Sequence, residues 1–287
     1  MPLKQHVASS MLHACGWADA TTRAAALVDP FCGSGTIPIE AALLAINQPP
    51  HLAAGRTFAC EHWPSFDRRA WRSVADQAEE CADAAQSPEV RRAVPPIYAS
   101  DRDAGVIAAA QANAERAGVA DLITFRHASV SDAAPPPLAA RASTPAPAPA
   151  PAAAPAAVPA PAGSLDGEAE QLVDTSTSPA TSPPAGLLMS NPPWGLRSGQ
   201  RGQDLRPLYQ RLGQTYRSNF GDTWRLALLV NAPSVALAHQ AGVSRARLLR
   251  MSLGDEKGSL VATEWPVEGA RRAGSRARTR PQGRGRS

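Results

Sequence analysis

Two short strings in this 287-residue chain combine residue types that suit a group transfer. The first is Asn191, Pro192, Pro193 and Trp194. Consecutive prolines lack backbone donors and fix φ, so the turn is rigid and its carbonyls point outward. The Asn191 side-chain oxygen and the Pro192 carbonyl then offer two acceptors to the N–H bonds of an exocyclic amine. Such an amine is a poor nucleophile, because its lone pair is delocalised into the ring that bears it. Two fixed acceptors steer that lone pair toward an electrophilic methyl, and positioning supplies most of the acceleration. Trp194 adds an apolar face on which a base can stack, worth about 1–3 kcal/mol. A base within a duplex must first be flipped out. Read alone, the string also fits a Pro-rich turn with a buried tryptophan.

The second string runs Asp29, Pro30, Phe31, Cys32, Gly33, Ser34, Gly35, Thr36. Gly33 and Gly35 permit backbone conformations closed to other residues and let a ligand approach closely. Thr36 is expected as the N-cap of the next helix, with Pro38 in its first turn. Free N–H groups there can receive a carboxylate. No Gly-Lys-Ser/Thr follows, which excludes a mononucleotide P-loop. Pro38 stands where a dinucleotide fingerprint has its third glycine. What remains suits an amino-acid-bearing nucleoside; the bland alternative is a tight structural turn. Transfer from a sulfonium would be a direct in-line displacement, with no metal and no covalent nucleophile. Asp101, at the end of a second strand, is placed to bind both ribose hydroxyls. Its alternative role is to cap the following helix, which Asp103 can do equally well.

The elements that position these strings alternate between strand and helix. Residues 24–28 form a short apolar run, and 37–45 a helix apolar all round. Residues 96–100 read as a second strand, followed by a helix over about 103–117 that buries Val106, Ile107, Ala110 and Ala114. Gly118 suits the left-handed position that ends it. Residues 122–126 and 186–190 are further strands. Leu208, Tyr209, Leu212, Tyr216 and Phe220 make one helical stripe, 226–230 is the most strand-like run, and 247–251 with 260–263 suggests a terminal hairpin. Apolar strands alternating with helices predict a doubly wound α/β sheet. Ligands bind such sheets beyond the carboxyl ends of the strands, where both strings lie.

Between the flanks, residues 133–185 are dominated by Ala and Pro, then Ser, Thr and Pro. Without apolar periodicity they cannot repay their ordering entropy, and disorder is expected. Loop closure grows only logarithmically, so such an insertion costs about 2 kcal/mol. The flanks, 1–132 and 186–268, therefore read as the halves of one domain, followed by an Arg-rich tail at 269–287 expected to be disordered.

The net charge of +4 divides unevenly. Residues 271–287 carry seven arginines and no acid, leaving 22 basic against 25 acidic residues elsewhere. A near-neutral body does not grip nucleic acid over its whole face, although the tail can add phosphate affinity. Arg197 and Arg201, close to the Asn191 turn, are candidates for an RNA-backbone track. Arg206, Arg211 and Arg217 follow, the last two equally readable as a solvated face.

The four cysteines form no Cys-x-x-Cys pair, so neither a zinc knuckle nor a disulfide framework is suggested. His62 and Trp63, beside Cys60 and Glu61, offer poor ligand geometry from one backbone stretch, and a structural role is expected. No metal site is predicted. No run approaches the roughly 20 apolar residues of a membrane span, and no secretory signal is expected. These negatives favour the cytoplasm, with nucleus or organelle as alternatives.

The two strings, with flanking segments, resemble an RNA methyltransferase family that includes the bacterial large-subunit ribosomal RNA guanine-N2 methyltransferases. The similarity extends to residues 2–17, to 39–42 of the first helix, to 58–71, to 101–103 with 113–118, and to 208–229. It implies a class I methyltransferase fold with a seven-stranded sheet, S-adenosylmethionine as donor, and an RNA guanine in rRNA or tRNA as acceptor. Three departures stand out. The family's amino-terminal RNA-binding module of the THUMP type does not fit in residues 1–28, so a separate recognition subunit or domain is expected. The third-strand acid that would meet the adenine is replaced by Ser129, with Asp132 slightly beyond. Trp194 replaces the usual tyrosine, keeping the stacking surface and losing the hydroxyl. The alternatives are an adenine-N6 methyltransferase on DNA or RNA, and an inactive remnant that binds RNA or a partner.

Overall fold

Seven strands form one sheet in the order β3-β2-β1-β4-β5-β7-β6. They are β1 (Leu27–Asp29), β2 (Ile97–Asp101), β3 (Ile123–His127), β4 (Gly186–Ser190), β5 (Trp224–Asn231), β6 (Ala246–Leu253) and β7 (Glu256–Ala262). The first five in spatial order are parallel; β7 runs antiparallel to both β5 and β6. This computed structural model describes residues 3–19, 23–50, 57–137, 185–194, 204–240, 242, 246–253 and 256–263, all within one compact unit. Most of the Ala/Pro-rich segment and the Arg-rich tail lie outside the described residues.

The core strands are covered on both faces, which is why they read as unbroken apolar runs. Period-2 alternation divides their side chains between two clusters. Leu27, Leu187, Met189, Ala227 and Leu229 face one cluster, whereas Val28, Leu188, Leu226, Leu228 and Val230 face the other. The first face is packed by α1 (Gln5–Ala14), α2 (Thr36–Ala45) and α5 (Ala104–Arg116). The second is packed by α6 (Arg206–Thr215) and α7 (Val235–Gln240). Two further helices, α3 (Arg68–Ala85) and α4 (Pro88–Arg92), lie between α2 and β2 in sequence.

Several elements depart from the sequence expectation. The first strand pairs only over Leu27–Asp29, although Ala24 and Ala26 before it are buried. The stripe from Leu208 to Phe220 is not one regular helix. After Thr215 it widens into a π-turn over Tyr216–Phe220, which ends at Gly221 with φ 67°. The widening sets Phe220 edge-on to Trp224 at 4.9 Å and lets the Tyr216 hydroxyl donate to the Trp224 carbonyl at 2.6 Å. Gly186 lies opposite Trp224, and a Cβ there would fall 2.3 Å from the indole. Ala133, compositionally part of the filler, is buried and its carbonyl accepts from the Asn219 amide at 2.8 Å.

The parallel pairing of β1 with β4 brings the two strings together. Leu27 and Val28 lie opposite Leu187 and Leu188, so the turns after Asp29 and Ser190 leave the same edge of the sheet side by side.

Candidate active site

The glycine turn follows β1. Gly33 and Gly35 both have left-handed φ, 53° and 84°. Gly35, not Thr36, is the N-cap of α2, and Thr36 is its first helical residue. The expected threonine cap is replaced because only glycine takes this backbone cheaply. The Thr36 hydroxyl instead donates to the Leu3 carbonyl at 3.3 Å, tying the turn to the chain's first described residue. A Cβ on Gly35 would lie 3.1 Å from the Ala110 Cβ, so the absence of a side chain also sets how closely α2 approaches α5. We predict that Gly35→Ala lowers stability by about 1–2 kcal/mol through left-handed strain. Thermal unfolding measures this, and unchanged stability would reject the strained turn.

The turn is held from two sides. The Gly33 N–H donates to Asp101 Oδ2 at 3.2 Å, and the Cys32 N–H to the Ser100 carbonyl at 3.0 Å. The Asn113 amide on α5 donates to the Ser34 carbonyl at 2.8 Å. The N–H groups of Ser34 and Thr36 have no partner among the described residues, leaving donors at the start of α2 for an anionic group. Asp103 caps α5, accepting from the N–H groups of Gly105 and Val106. Asp101 is thereby spared the capping role; its carboxylate joins the glycine turn to the end of β2, with Oδ1 accepting from the Asp103 N–H at 3.1 Å.

The second turn begins at Ser190, whose hydroxyl donates to Asp29 Oδ1 at 2.5 Å across 161 residues of sequence. Next to it, the Asn191 side-chain oxygen is buried and has no hydrogen-bond partner among the described residues. A lone buried acceptor of this kind costs about 1–3 kcal/mol, which makes it a marker of a site shaped for something else. Pro192 is buried and Pro193 exposed. Trp194 is half-buried against the α2 side of the core, and its indole N–H donates to the Leu229 carbonyl at 3.2 Å. The strand register explains this anchor. β4 ends opposite Leu228 while β5 continues to Asn231, so the turn folds over an overhang of β5. The hydroxyl expected to be missing has a substitute: the indole supplies a donor, and the sheet supplies its partner.

Asp29 is the buried charge at the centre. Burial pushes its carboxyl up to about 7 against the hydrogen bonds from Ser190 and the Phe31 N–H, and Asp101 raises it further. Its Oδ2 has no partner among the described residues. The buried Cys32 thiol is also pushed up, by burial first and by the same two carboxylates, and is no nucleophile. Phe31 is half-buried and packs on the α6 side of the sheet.

Beyond β3, Ser129 and Asp132 are exposed and engage each other. The Asp132 carboxylate accepts from the Ser129 N–H at 3.1 Å, and the Ser129 hydroxyl accepts from the Ser131 N–H at 3.3 Å. Arg197 and Arg201 lie outside the described residues. Among the described residues no group of His, Cys, Asp and Glu could hold a metal. Glu61 accepts from the Phe58 N–H, and Trp63 is 63% exposed. Sequence reasoning missed Ser190 and Asn113 as parts of the site. Asn113 was visible within a segment shared with the resembled family; Ser190 gave no signal beyond its place before Asn191.

Residues 1–136 match the family UPF0020, described as RMKL-like, methyltransferase domain. The chain is 35% identical over 228 residues to the ribosomal RNA large subunit methyltransferase K/L of Shewanella baltica (strain OS185), a match over 79% of this chain and 24% of that protein. The corresponding protein of Shewanella oneidensis is 33% identical over the same shares. The chain thus spans about a quarter of the length of these curated relatives. Among solved structures, SMU.472 complexed with SAH matches with TM-score 0.59 and 22% identity over 91% of this chain and 52% of that one. A predicted N6-adenine-specific DNA methylase from Listeria monocytogenes matches with TM-score 0.55 and 25% identity over 92% and 52%. The sheet order is thus that of a class I methyltransferase domain, and the first half of that domain matches the RMKL-like methyltransferase family UPF0020.

Proposed function

We propose that this chain uses S-adenosylmethionine to methylate the exocyclic amine of an RNA base, with guanine N2 in ribosomal or transfer RNA as the acceptor. The observation that carries the reading is the Asn191 oxygen, buried and without a partner among the described residues, next to the residue whose hydroxyl bonds Asp29.

The residues present fit the donor. Gly33 and Gly35 leave room for close approach, and the unpaired N–H groups of Ser34 and Thr36 suit a carboxylate. The unpartnered Asp29 oxygen suits an ammonium, and Asp101 ends β2 where a ribose would be met. Phe31 flanks this turn, while Ser129 and Asp132 stand at the end of β3 as candidate contacts to the adenine. When bound, the donor supplies a methyl group on a positively charged sulfur. The chain's own part is positional: Asn191 and the Pro192 carbonyl accept the amine's N–H bonds, Pro193 keeps the turn rigid, and Trp194 backs the base. No side chain of the site needs to become a covalent partner.

Arg197 and Arg201 are assigned to the RNA backbone. Recognition of one particular RNA is assigned to a module other than this domain, and a cytoplasmic setting goes with such a substrate. A second reading, adenine N6 on DNA or RNA, is favoured by the likeness to the Listeria protein.

One experiment separates these readings from an inactive remnant. Tritiated S-adenosylmethionine is incubated with the chain and with total RNA or DNA, and the labelled nucleoside is then identified. Label in N2-methylguanosine is expected. Label in N6-methyladenine would move the assignment to the second reading, and absence of both transfer and donor binding would leave only the remnant.

A further inference from the structure

We infer that Ser190 is a positioning residue of this site: its hydroxyl fastens the Asn191 turn to the glycine turn through Asp29, and the strength of that latch follows the charge on Asp29. The inference rests on the proposed reading of Asp29 as part of the donor site.

Ser190 is completely buried at the end of a strand whose other residues are Gly186, Leu187, Leu188 and Met189. An alanine would suit such a position, and a buried hydroxyl is costly unless it is hydrogen-bonded. Its hydrogen bond is the one to Asp29 Oδ1, at 2.5 Å. The other end is equally constrained. Asp29 Oδ1 also accepts from the Phe31 N–H at 3.1 Å, and Oδ2 has no partner among the described residues. That second oxygen is open to a proton or to a donor brought by a ligand.

The surroundings make the choice between the two sensitive. Asp101, from β2, opposes ionisation of Asp29. Cys32, in the turn itself, stays a neutral thiol. β4 contributes Ser190 and no charge, and the lone ionisable side chain on α2, Glu40, is not among the groups acting on Asp29. A hydroxyl donates more strongly to a carboxylate than to a carboxylic acid. An ammonium arriving at Asp29 holds it ionised, tightens its bond to Ser190, and so seats Asn191, the next residue, as the donor site fills.

The test uses the chain without ligand, then with S-adenosylhomocysteine. The Asp29 carboxyl is followed by carbon NMR of aspartate-labelled protein, as the signal missing from Asp29→Asn. Loss of one hydrogen bond to a charged group raises its titration midpoint by about one pH unit in Ser190→Ala, and Ser190→Thr restores it. Calorimetry then finds S-adenosylhomocysteine bound about fivefold more weakly by Ser190→Ala at pH 7 and nearly equally at pH 9, where both forms are ionised. An unmoved midpoint overturns the latch, as does an equal loss of affinity at both pH values, the mark of a packing defect. If the unmodified chain binds no S-adenosylhomocysteine, the donor-site reading fails, while the titration still decides whether Ser190 sets the charge of Asp29.

Discussion

Asn191→Ala is expected to lower methyl transfer by about 10³-fold while leaving S-adenosylhomocysteine affinity within about twofold, the scale seen when one fixed electrostatic contact to a transition state is removed. The physical reason is that the Asn191 oxygen serves the amine, not the donor. No described residue satisfies it, and the contacts that hold the glycine turn come from Asp101, Ser100 and Asn113. Stability separates this account from a structural one. Deleting a buried acceptor that bonds to nothing removes a desolvation penalty, so the melting temperature should hold or rise. A structural asparagine would give the reverse pattern, a lower melting temperature with kcat falling in proportion to folded protein. Single-turnover transfer with saturating donor, beside thermal unfolding, distinguishes the two. Retained turnover would remove Asn191 from the chemistry.

Much of this arrangement is legible in one dimension because its parts are local. Gly33 and Gly35 announce a turn, Pro192 and Pro193 a rigid one, and the apolar runs of β4 and β5 announce strands buried on both sides. Asp103 and Gly118 bracket α5 as capping chemistry predicts. The features that escaped depend on register between distant segments. Ser190 reads as the last residue of an apolar strand until β1 pairs with β4 and sets it against Asp29. The Trp194 anchor requires knowing that β5 outruns β4. Thr36 is a good capping residue by type, yet the cap falls on Gly35, because the left-handed backbone ends the turn one residue earlier. Two helices, α1 and α3, stand outside the strand–helix alternation read from the sequence. In α1 the buried Val7, Ala8, Met11 and Leu12 make a regular helical stripe ahead of the first strand. In α3 Trp71, Val74, Ala78, Cys81 and Ala85 recur at helical spacing among charged residues, although only Ala78 and Ala85 are buried along its 18 residues.

Asp29→Asn should make the free protein more stable above neutral pH and at the same time spoil the donor site. The carboxyl is raised from an ordinary 3.8 to about 7 in the folded chain, chiefly by burial. Between those values the folded state keeps a proton that the unfolded state has lost. Unfolding there releases the proton, so stability declines as pH rises from about 4 to about 7 and is level beyond, a loss of a few kcal/mol in total. An amide at this position has nothing to ionise. The variant should therefore melt higher than the unmodified chain by a margin that widens from about pH 4 to about pH 7 and is level beyond, roughly 5–15 °C at pH 8. Its affinity for S-adenosylhomocysteine at pH 8 should be at least about tenfold lower, since no negative charge remains to meet the ligand's ammonium. The pairing of the two effects is the diagnostic. A buried, half-satisfied carboxylate kept at a cost to the empty protein makes sense if a bound cation repays it. Equal melting curves at pH 8, or a variant that binds as well as the unmodified chain, would mean that Asp29 is ordinary packing and that the donor's amino group is held elsewhere.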